Sequence, residues 1–328
     1  MQNVLPTAAD VADAHLRIRD WIFETPVLES DPLSRRIGAR VLLKAECLQR
    51  GGSFKIRGAL NRILQLSVDE RGAGVVAFSS GNHAQAVAIA ARWLGCRATI
   101  VMPRDAPRAK LDGTRSYGAE IVLYDRERDD REAIAARLAA ERGAALVPPF
   151  DHAHVIAGQG TAALELGRAL ALKHVTLDEL YTPCSGGGLV AGSALAIKSV
   201  FSDCAVYAVE PVGYTRLADS LRAGERRVLS AHPPTLCDGL RAPAAGAITF
   251  AINRRELAGA VAVDDDTVLE AMALAAEHLK VVLEPSGAAA LAALLHNPPQ
   301  GGCVAAILSG GNVDAELWSN AVTRHART

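Results

Sequence analysis

At 328 residues, half of them hydrophobic, the chain is long enough for about two domains of roughly 150 residues each and a sizeable core. Its 35 basic and 36 acidic residues leave a formal charge of −1, which argues against nucleic acid or an anionic membrane as partner. No apolar run reaches the roughly 18 residues a membrane span needs, Ala288 to Leu295 being among the longest, and Met1 to Asp13 carries acids and no basic n-region. We therefore expect no signal peptide and a cytoplasmic location. Six cysteines without any Cys-x-x-Cys pair suit free thiols in a reducing compartment better than disulfides or zinc. His152-Ala-His154 lacks nearby acids or cysteines and reads as a polar loop, so no metal site is assigned.

In chain order, Ala8 to Phe23 reads as an amphipathic helix with Val11, His15, Ile18 and Ile22 on one stripe, ended by Thr25-Pro26. Val41 to Glu46 is a predicted strand. Gly51-Gly52 punctuates a turn, Ser53 is placed to cap, and Ile56 to Leu66 is helical. Lys55 thus falls in the first helical turn, where the helix dipole disfavours a cation. Such a lysine either reaches solvent, the simpler reading for a lone residue, or has a lowered pKa suited to Schiff-base chemistry.

Strand and helix patterns then alternate: strands at 75–80, 98–102, 121–124 and 145–148, and helices at 82–94, 106–117 and 128–142. Gly95, Gly118 and Gly143 close those helices. This is the pattern of parallel βαβ units. Phe150 to Gly160 reads as a loop where the chain could leave one sheet for another. A helix at 161–173, a strand at 179–183, a glycine-rich turn at 185–188, a helix at 189–200 and a strand at 205–210 follow. Pro233-Pro234 and Pro243 to Gly246 mark a looser region. A strand at 260–263, helices at 266–279 and 284–295 and a strand at 303–308 complete the series.

Three strand ends carry polar, glycine-rich sequence, where open α/β sheets bind ligands. Ser185-Gly186-Gly187-Gly188 can converge backbone N–H groups on a phosphate at a helix start. Taken alone, Gly186-x-Gly188-x-x-Ala191 with Glu210 also fits a dinucleotide fingerprint, which would suit a nicotinamide-dependent oxidoreductase. Ser79-Ser80-Gly81-Asn82-His83 offers more polar groups than an N-cap uses and suits a small carboxylate. Ser309-Gly310-Gly311-Asn312 is the third.

Gly52-Ser53-Phe54-Lys55-Ile56-Arg57-Gly58-Ala59 resembles the lysine motif of the fold-type II pyridoxal-phosphate enzymes, in the branch of the serine/threonine dehydratases (ammonia-lyases) and serine racemases. Ser79 to His83, Pro148 to Asp151, Val155 to Thr161, Ser185 to Leu189, Glu284-Pro285-Ser286 and Ser309 to Asn312 match in family order, over nearly the whole chain. The resemblance implies an α/β fold of two domains, each an open, mostly parallel sheet flanked by helices. Residues 1–50 and 150–328 would form a large cofactor-binding domain, and 51–149 a small substrate-side domain.

It further implies pyridoxal 5'-phosphate as cofactor, with Lys55 as its Schiff-base partner and the carrier of the Cα proton. Ser185, Gly186, Gly187, Gly188 and Leu189 would bind the phosphate, Asn82 the ring oxygen and Ser309 the ring nitrogen, with Phe54 near the ring. Ser79, Ser80, Asn82 and His83 would hold the substrate, Ser80 doubling as acid/base on the opposite cofactor face. The implied reaction is dehydration and deamination of L-threonine and/or L-serine to a 2-oxo acid and ammonia. A racemase, or a dehydratase for another β-hydroxy amino acid such as hydroxyaspartate, is the alternative. The implied partners are a small amino-acid substrate and further copies of the chain, as a dimer or tetramer. Arg216 stands about where serine racemases carry the second acid of a cation site beside Glu210, which argues against a metal here. The chain ends soon after Asn312, so the regulatory domain of biosynthetic threonine deaminases, and feedback by isoleucine, are not expected.

Overall fold

The computed structural model describes residues 5–325 apart from 107, 232, 298, 300 and 301. The first four residues of the N-terminal stretch and the last three of the tail lie outside the described residues. Strands β1 (Val27–Glu29), β2 (Arg40–Lys44), β3 (Val75–Phe78), β4 (Ala98–Pro103), β5 (Glu120–Tyr124), β6 (Ala145–Leu146), β7 (Glu179–Pro183), β8 (Ala205–Pro211), β9 (Gly259–Val263) and β10 (Cys303–Ile307) form two sheets. The larger runs β1-β2-β10-β7-β8-β9, parallel except for the β1–β2 pair; the smaller runs β5-β4-β3-β6, all parallel. The protein is therefore α/β with two mostly parallel sheets flanked by helices: the alternating pattern gave the parallel βαβ units, and the family resemblance implied their division into two sheets. Among the described residues no helix is long and apolar enough to cross a membrane. All six cysteines are free.

Both faces of the large sheet are covered, which is why its strands read as unbroken apolar runs. Val41, Leu43, Val304 and Ala306 point into one core; Leu42, Ala305 and Ile307 point into the other. A βαβ crossover needs helices that stop cleanly, and Gly143 does this for helix Arg131–Arg142 in the left-handed conformation, with φ 62°.

Three expectations fail, each through tertiary contacts. The first helix ends at Ile18 rather than Phe23. The Gln49 side chain accepts from Phe23 N at 3.0 Å and donates to Phe23 O at 2.6 Å, holding this backbone out of the helix. Ser53 does not cap the next helix, because its extended backbone bridges Gly310; Phe54 is the N-cap, and Phe54 N donates to Ser309 O at 3.2 Å. Residues 153–160 are not a loop: helix Ala153–Leu172 is continuous. The small residues that suggested a loop serve close packing. A Cβ on Gly158 would lie 2.6 Å from Arg57 O, and one on Gly160 would lie 2.5 Å from Gly192 O. This helix therefore meets Lys55–Leu64 and Gly188–Lys198 backbone against backbone. His152 caps it, Nδ1 accepting from His154 N at 3.1 Å.

Candidate active site

The carboxyl ends of β3, β7 and β10 open on one cleft of about 630 Å³, lined by Lys55, Ser79 to His83, Ser185 to Leu189, Glu284 and Ser309 among others. Both sheets have a topological switch here: β10 returns between β2 and β7, and β3 lies between β4 and β6. Lys55 opens its helix, and its Nζ donates to Pro149 O at 2.9 Å, 5.1 Å from the Phe54 ring centroid. Removal from water lowers its pKa to about 8, with Glu284 pulling weakly the other way. The neutral amine is therefore within easy reach near physiological pH.

Behind Lys55, on the same helix, Arg57 is wholly buried. Its guanidinium forks to Glu46 at 2.7 and 2.8 Å and to Glu165 at 2.6 and 2.8 Å, and reaches Thr161 at 3.0 Å. Lys44 completes the group, 2.6 Å from Glu165. Two cations and two anions thus pin the first turn of the Lys55 helix to the end of β2 and to helix Ala153–Leu172.

The glycine-rich turn is a cradle with no room for side chains. A Cβ on Gly186 would lie 2.4 Å from the Phe150 ring, and one on Gly187 would lie 2.7 Å from Asn253 Nδ2, on a backbone at φ +91°. The carbonyls point away from the cleft. Gly186 O accepts from Thr249 Oγ1 at 2.7 Å and Gly187 O from Asn253 Nδ2 at 3.3 Å. Turning the carbonyls outward leaves the N–H edge and the start of helix Gly188–Lys198 for an anion. The residues present fit a cofactor phosphate. Helix Ala247–Glu256, which supplies Thr249 and Asn253, is capped by Asp151, whose carboxylate accepts from Ala247, Ile248 and Thr249 N at 2.8–3.1 Å. Sequence reading missed this helix behind the Pro243–Gly246 stretch, and missed Asp151 as its cap.

Helix Asn82–Trp93 has Gly81 as N-cap and no side-chain cap. Ser80 does not cap it, and Ser79 Oγ accepts from Gly81 N at 3.1 Å. The first helical N–H groups, which have no intrahelical acceptor, open on the cleft. Asn82 is fixed on both sides, Nδ2 donating to Glu284 at 2.5 Å and Oδ1 accepting from Asn312 at 2.9 Å. His83 is buried and its ring pairs with Val147 O at 2.9 Å. Burial and then the nearby Lys55 push its pKa down to about 3. The neutral ring gives its one proton to Val147 O, so its backbone N–H, not the ring, remains for a carboxylate. Ser309 is buried in the wall, 3.4 Å from Ser286 O. Glu284 went unassigned in the sequence although its motif stood out. Burial pushes its pKa up to about 7, with Asp238 adding to the effect.

Glu210, the acid of the dinucleotide reading, is buried and already engaged. It accepts from Leu217 and Ala218 N, both at 3.0 Å, and faces Arg216 Nη1 at 3.2 Å. Arg216 also donates to the carbonyls of Cys184 at 2.9 Å and Ser185 at 2.5 Å, ahead of the cradle. Among the described residues no group of three His, Cys, Asp or Glu could hold a metal ion.

Such a cleft, with a lysine of lowered pKa facing a glycine cradle at a sheet's switch point, defines a cofactor enzyme of the α/β class. The family described as pyridoxal-phosphate dependent enzyme matches residues 18–310, and the chain belongs to it. It is 44% identical over 322 residues to an L-threo-3-hydroxyaspartate ammonia-lyase of Saccharomyces cerevisiae, covering 98% of this chain and 97% of the relative. It is 41% identical to a serine racemase of Schizosaccharomyces pombe, covering 97% of each. The crystal structure of a threonine deaminase from T.th. superposes with a TM-score of 0.88 at 44% identity, covering 94% of this chain and 99% of that one. The enzyme depends on pyridoxal 5'-phosphate, and its fold is the fold-type II architecture.

Proposed function

We propose that the enzyme removes the β-hydroxyl and amino groups of small L-β-hydroxy amino acids, L-serine and L-threonine foremost, yielding a 2-oxo acid and ammonia. The observation that carries this is the single cleft in which the Lys55 amine, with its pKa near 8, faces both the glycine cradle and the open start of helix Asn82–Trp93. Bound pyridoxal phosphate supplies the electron sink; the chain supplies position and protons. Gly186 to Leu189 and Ser185 hold the phosphate, and Phe150, wedged against the cradle, keeps the turn in shape. Lys55, steered by Pro149 O and neutral in useful proportion, binds the cofactor and takes the proton from the substrate Cα. Asn82, its amide oriented by Glu284 and Asn312, meets the ring oxygen. Ser309 meets the ring nitrogen with a neutral hydroxyl, and Phe54 lies beside the ring. Ser79, Ser80, Asn82 and the His83 backbone receive the substrate, with Ser80 as acid/base on the far side. We further infer that residues 51–149 form a small substrate-side domain and residues 1–50 and 150–328 a large cofactor-binding domain, in a homo-oligomer.

A second reading, dehydration of 3-hydroxyaspartate, is favoured by the 44% identity to a relative named for that activity. Racemisation is a side reaction open to the same Lys55–Ser80 pair. One experiment separates these: 2-oxo acid release from L-serine, L-threonine and L-threo-3-hydroxyaspartate, with chiral analysis of the remaining substrate. Pyruvate and 2-oxobutyrate formation exceeding oxaloacetate formation is expected; the reverse order gives the second reading, and loss of chirality without oxo acid overturns both.

A further inference from the structure

The Ser79–His83 loop gathers donors but no charge. Its serines and asparagine are neutral, and the His83 ring is held neutral by burial. An amino-acid carboxylate placed there would sit partly desolvated, and such a charge needs a counter-ion. One cation stands against the loop. Lys110, on helix Arg108–Ser116, brings its Nζ to 3.6 Å from where a Cβ on Gly81 would be. Beyond the adjoining chain, no other described residue has an atom within 4 Å of that point. The Lys110 side chain is only 14% exposed, and its Nζ is 2.5 Å from Asp238 Oδ2. Asp238, in the turn Asp238–Leu240 on the opposite wall, is 47% exposed and free to swing into water.

The other cations of the cleft stand farther off, none with an atom within 4 Å of that point at Gly81. Arg126 is bonded to Asp105 at 2.7 Å, Arg241 donates to Tyr214 Oη at 3.1 Å, Lys55 donates to Pro149 O at 2.9 Å, and Arg131 stands 5.5 Å from the Phe78 ring centroid. We propose that Lys110 is the cation that receives the substrate carboxylate at the Ser79–His83 loop, exchanging Asp238 for it. The proposal rests on the reading of that loop as the carboxylate site. Glu284 does not oppose the exchange at or below neutrality, because burial, reinforced by Asp238, raises its pKa to about 7 and much of it carries a proton there. Before the exchange Lys110 is held charged: burial works against the charge, and Asp238, with Glu284 and Asp314, outweighs it. In the exchange the incoming carboxylate takes over the part of Asp238.

The test compares ligands with and without a carboxylate on the cofactor-loaded enzyme. L-Serine and ethanolamine, which carries the amine and hydroxyl only, are titrated by the change in cofactor absorbance. Propionate, a carboxylate without an amine, is titrated by calorimetry. Lys110→Met is expected to weaken L-serine and propionate about ten- to a hundredfold, the worth of one charge-assisted bond, while ethanolamine is unaffected. Lys110→Arg should restore most of the loss. Asp238→Asn removes the competing anion and should tighten propionate binding; this half-exposed position avoids any folding defect of the lysine variants. Equal weakening of L-serine and ethanolamine in Lys110→Met, or weaker or unchanged propionate binding in Asp238→Asn, would overturn the proposal. Wild-type 2-oxo acid release, measured separately, tests the proposed activity without reference to these ratios.

Discussion

The first turn of one helix separates two groups of buried titratable side chains that respond to burial in opposite ways. Behind Lys55, desolvation works against the charges of Arg57 and Glu46, yet each is held more firmly charged than in water. The forked bonds to Glu46 and Glu165, with Lys44 beside them, outweigh the loss of solvent. In front of Lys55 the same burial is opposed only in part: Glu284 works to keep Lys55 charged, and Lys110, the Asn82 bond and Lys55 work to keep Glu284 charged, yet burial prevails. Lys55 falls to about 8, His83 to about 3, and Glu284 rises to about 7. Burial alone therefore does not make a group reactive; burial without a matched partner does. The paired group fixes the helix that carries Lys55, and the unpaired group is what the cleft can use.

The largest expected effect breaks the front group. Lys55→Ala should cut 2-oxo acid release by about a thousandfold or more, as loss of a nucleophile and proton carrier does. It should retain weak cofactor binding through the cradle, read by equilibrium dialysis. Near-normal turnover would remove Lys55 from the mechanism.

Breaking the rear group should act on stability instead. Arg57→Met leaves Glu46 buried without its bonded cation and Glu165 with Lys44 alone, at a cost of about 3–5 kcal/mol in denaturant unfolding. A loss below about 1 kcal/mol, the range of exposed pairs, would mean that the cluster is not the anchor its geometry suggests.

A subtler contrast lies in pH. Folded Glu284 holds its proton more tightly than the unfolded chain does, so its contribution to stability is present below about 4.5 and is lost as pH rises to about 7. Relative to Glu284→Gln, the wild-type apoprotein should lose on the order of 3 kcal/mol across that window. Parallel stability curves for the two proteins would show that Glu284 titrates normally.

The smallest effect concerns a second rear-type pair. Arg216 already meets Glu210 and the carbonyls leading into the cradle. A guanidinium there opposes a divalent ion, which needs oxygen ligands. Chelation should leave activity almost unchanged. Loss on EDTA treatment that magnesium restores would place a cation where Arg216 now argues against one.

Much of the cleft was legible in the sequence because its groups are local. Gly186 to Gly188, Ser79 to His83 and Lys55 sit at strand ends, where short polar, glycine-rich stretches interrupt apolar runs. Glu284, Asp151 and Lys110 were not legible as functional groups. Each is one ordinary charged residue whose meaning depends on a partner far along the chain: Asn82 for Glu284, the Ala247–Glu256 helix for Asp151, and Asp238 for Lys110. The motif Pro148 to Asp151 stood out without an explanation. In the fold its members orient Lys55, wall the cradle and cap a helix.

The sequence by itself determined the alternation of strands and helices in parallel βαβ units and the glycine-rich strand ends, because apolar periodicity and glycine act over a few residues; the division into two sheets was legible only through the family resemblance. Only the tertiary structure decided that Gly158 and Gly160 belong to a continuous helix, since their purpose is backbone contact with Arg57 and Gly192. It also decided which charges stay charged. Arg57 and Lys55 are two residues apart on one helix, and nothing local distinguishes their fates. The difference is that Arg57 meets two carboxylates brought from 11 and 108 residues away, whereas Lys55 meets only a carbonyl. Desolvation acts on both, and long-range pairing compensates it for only one.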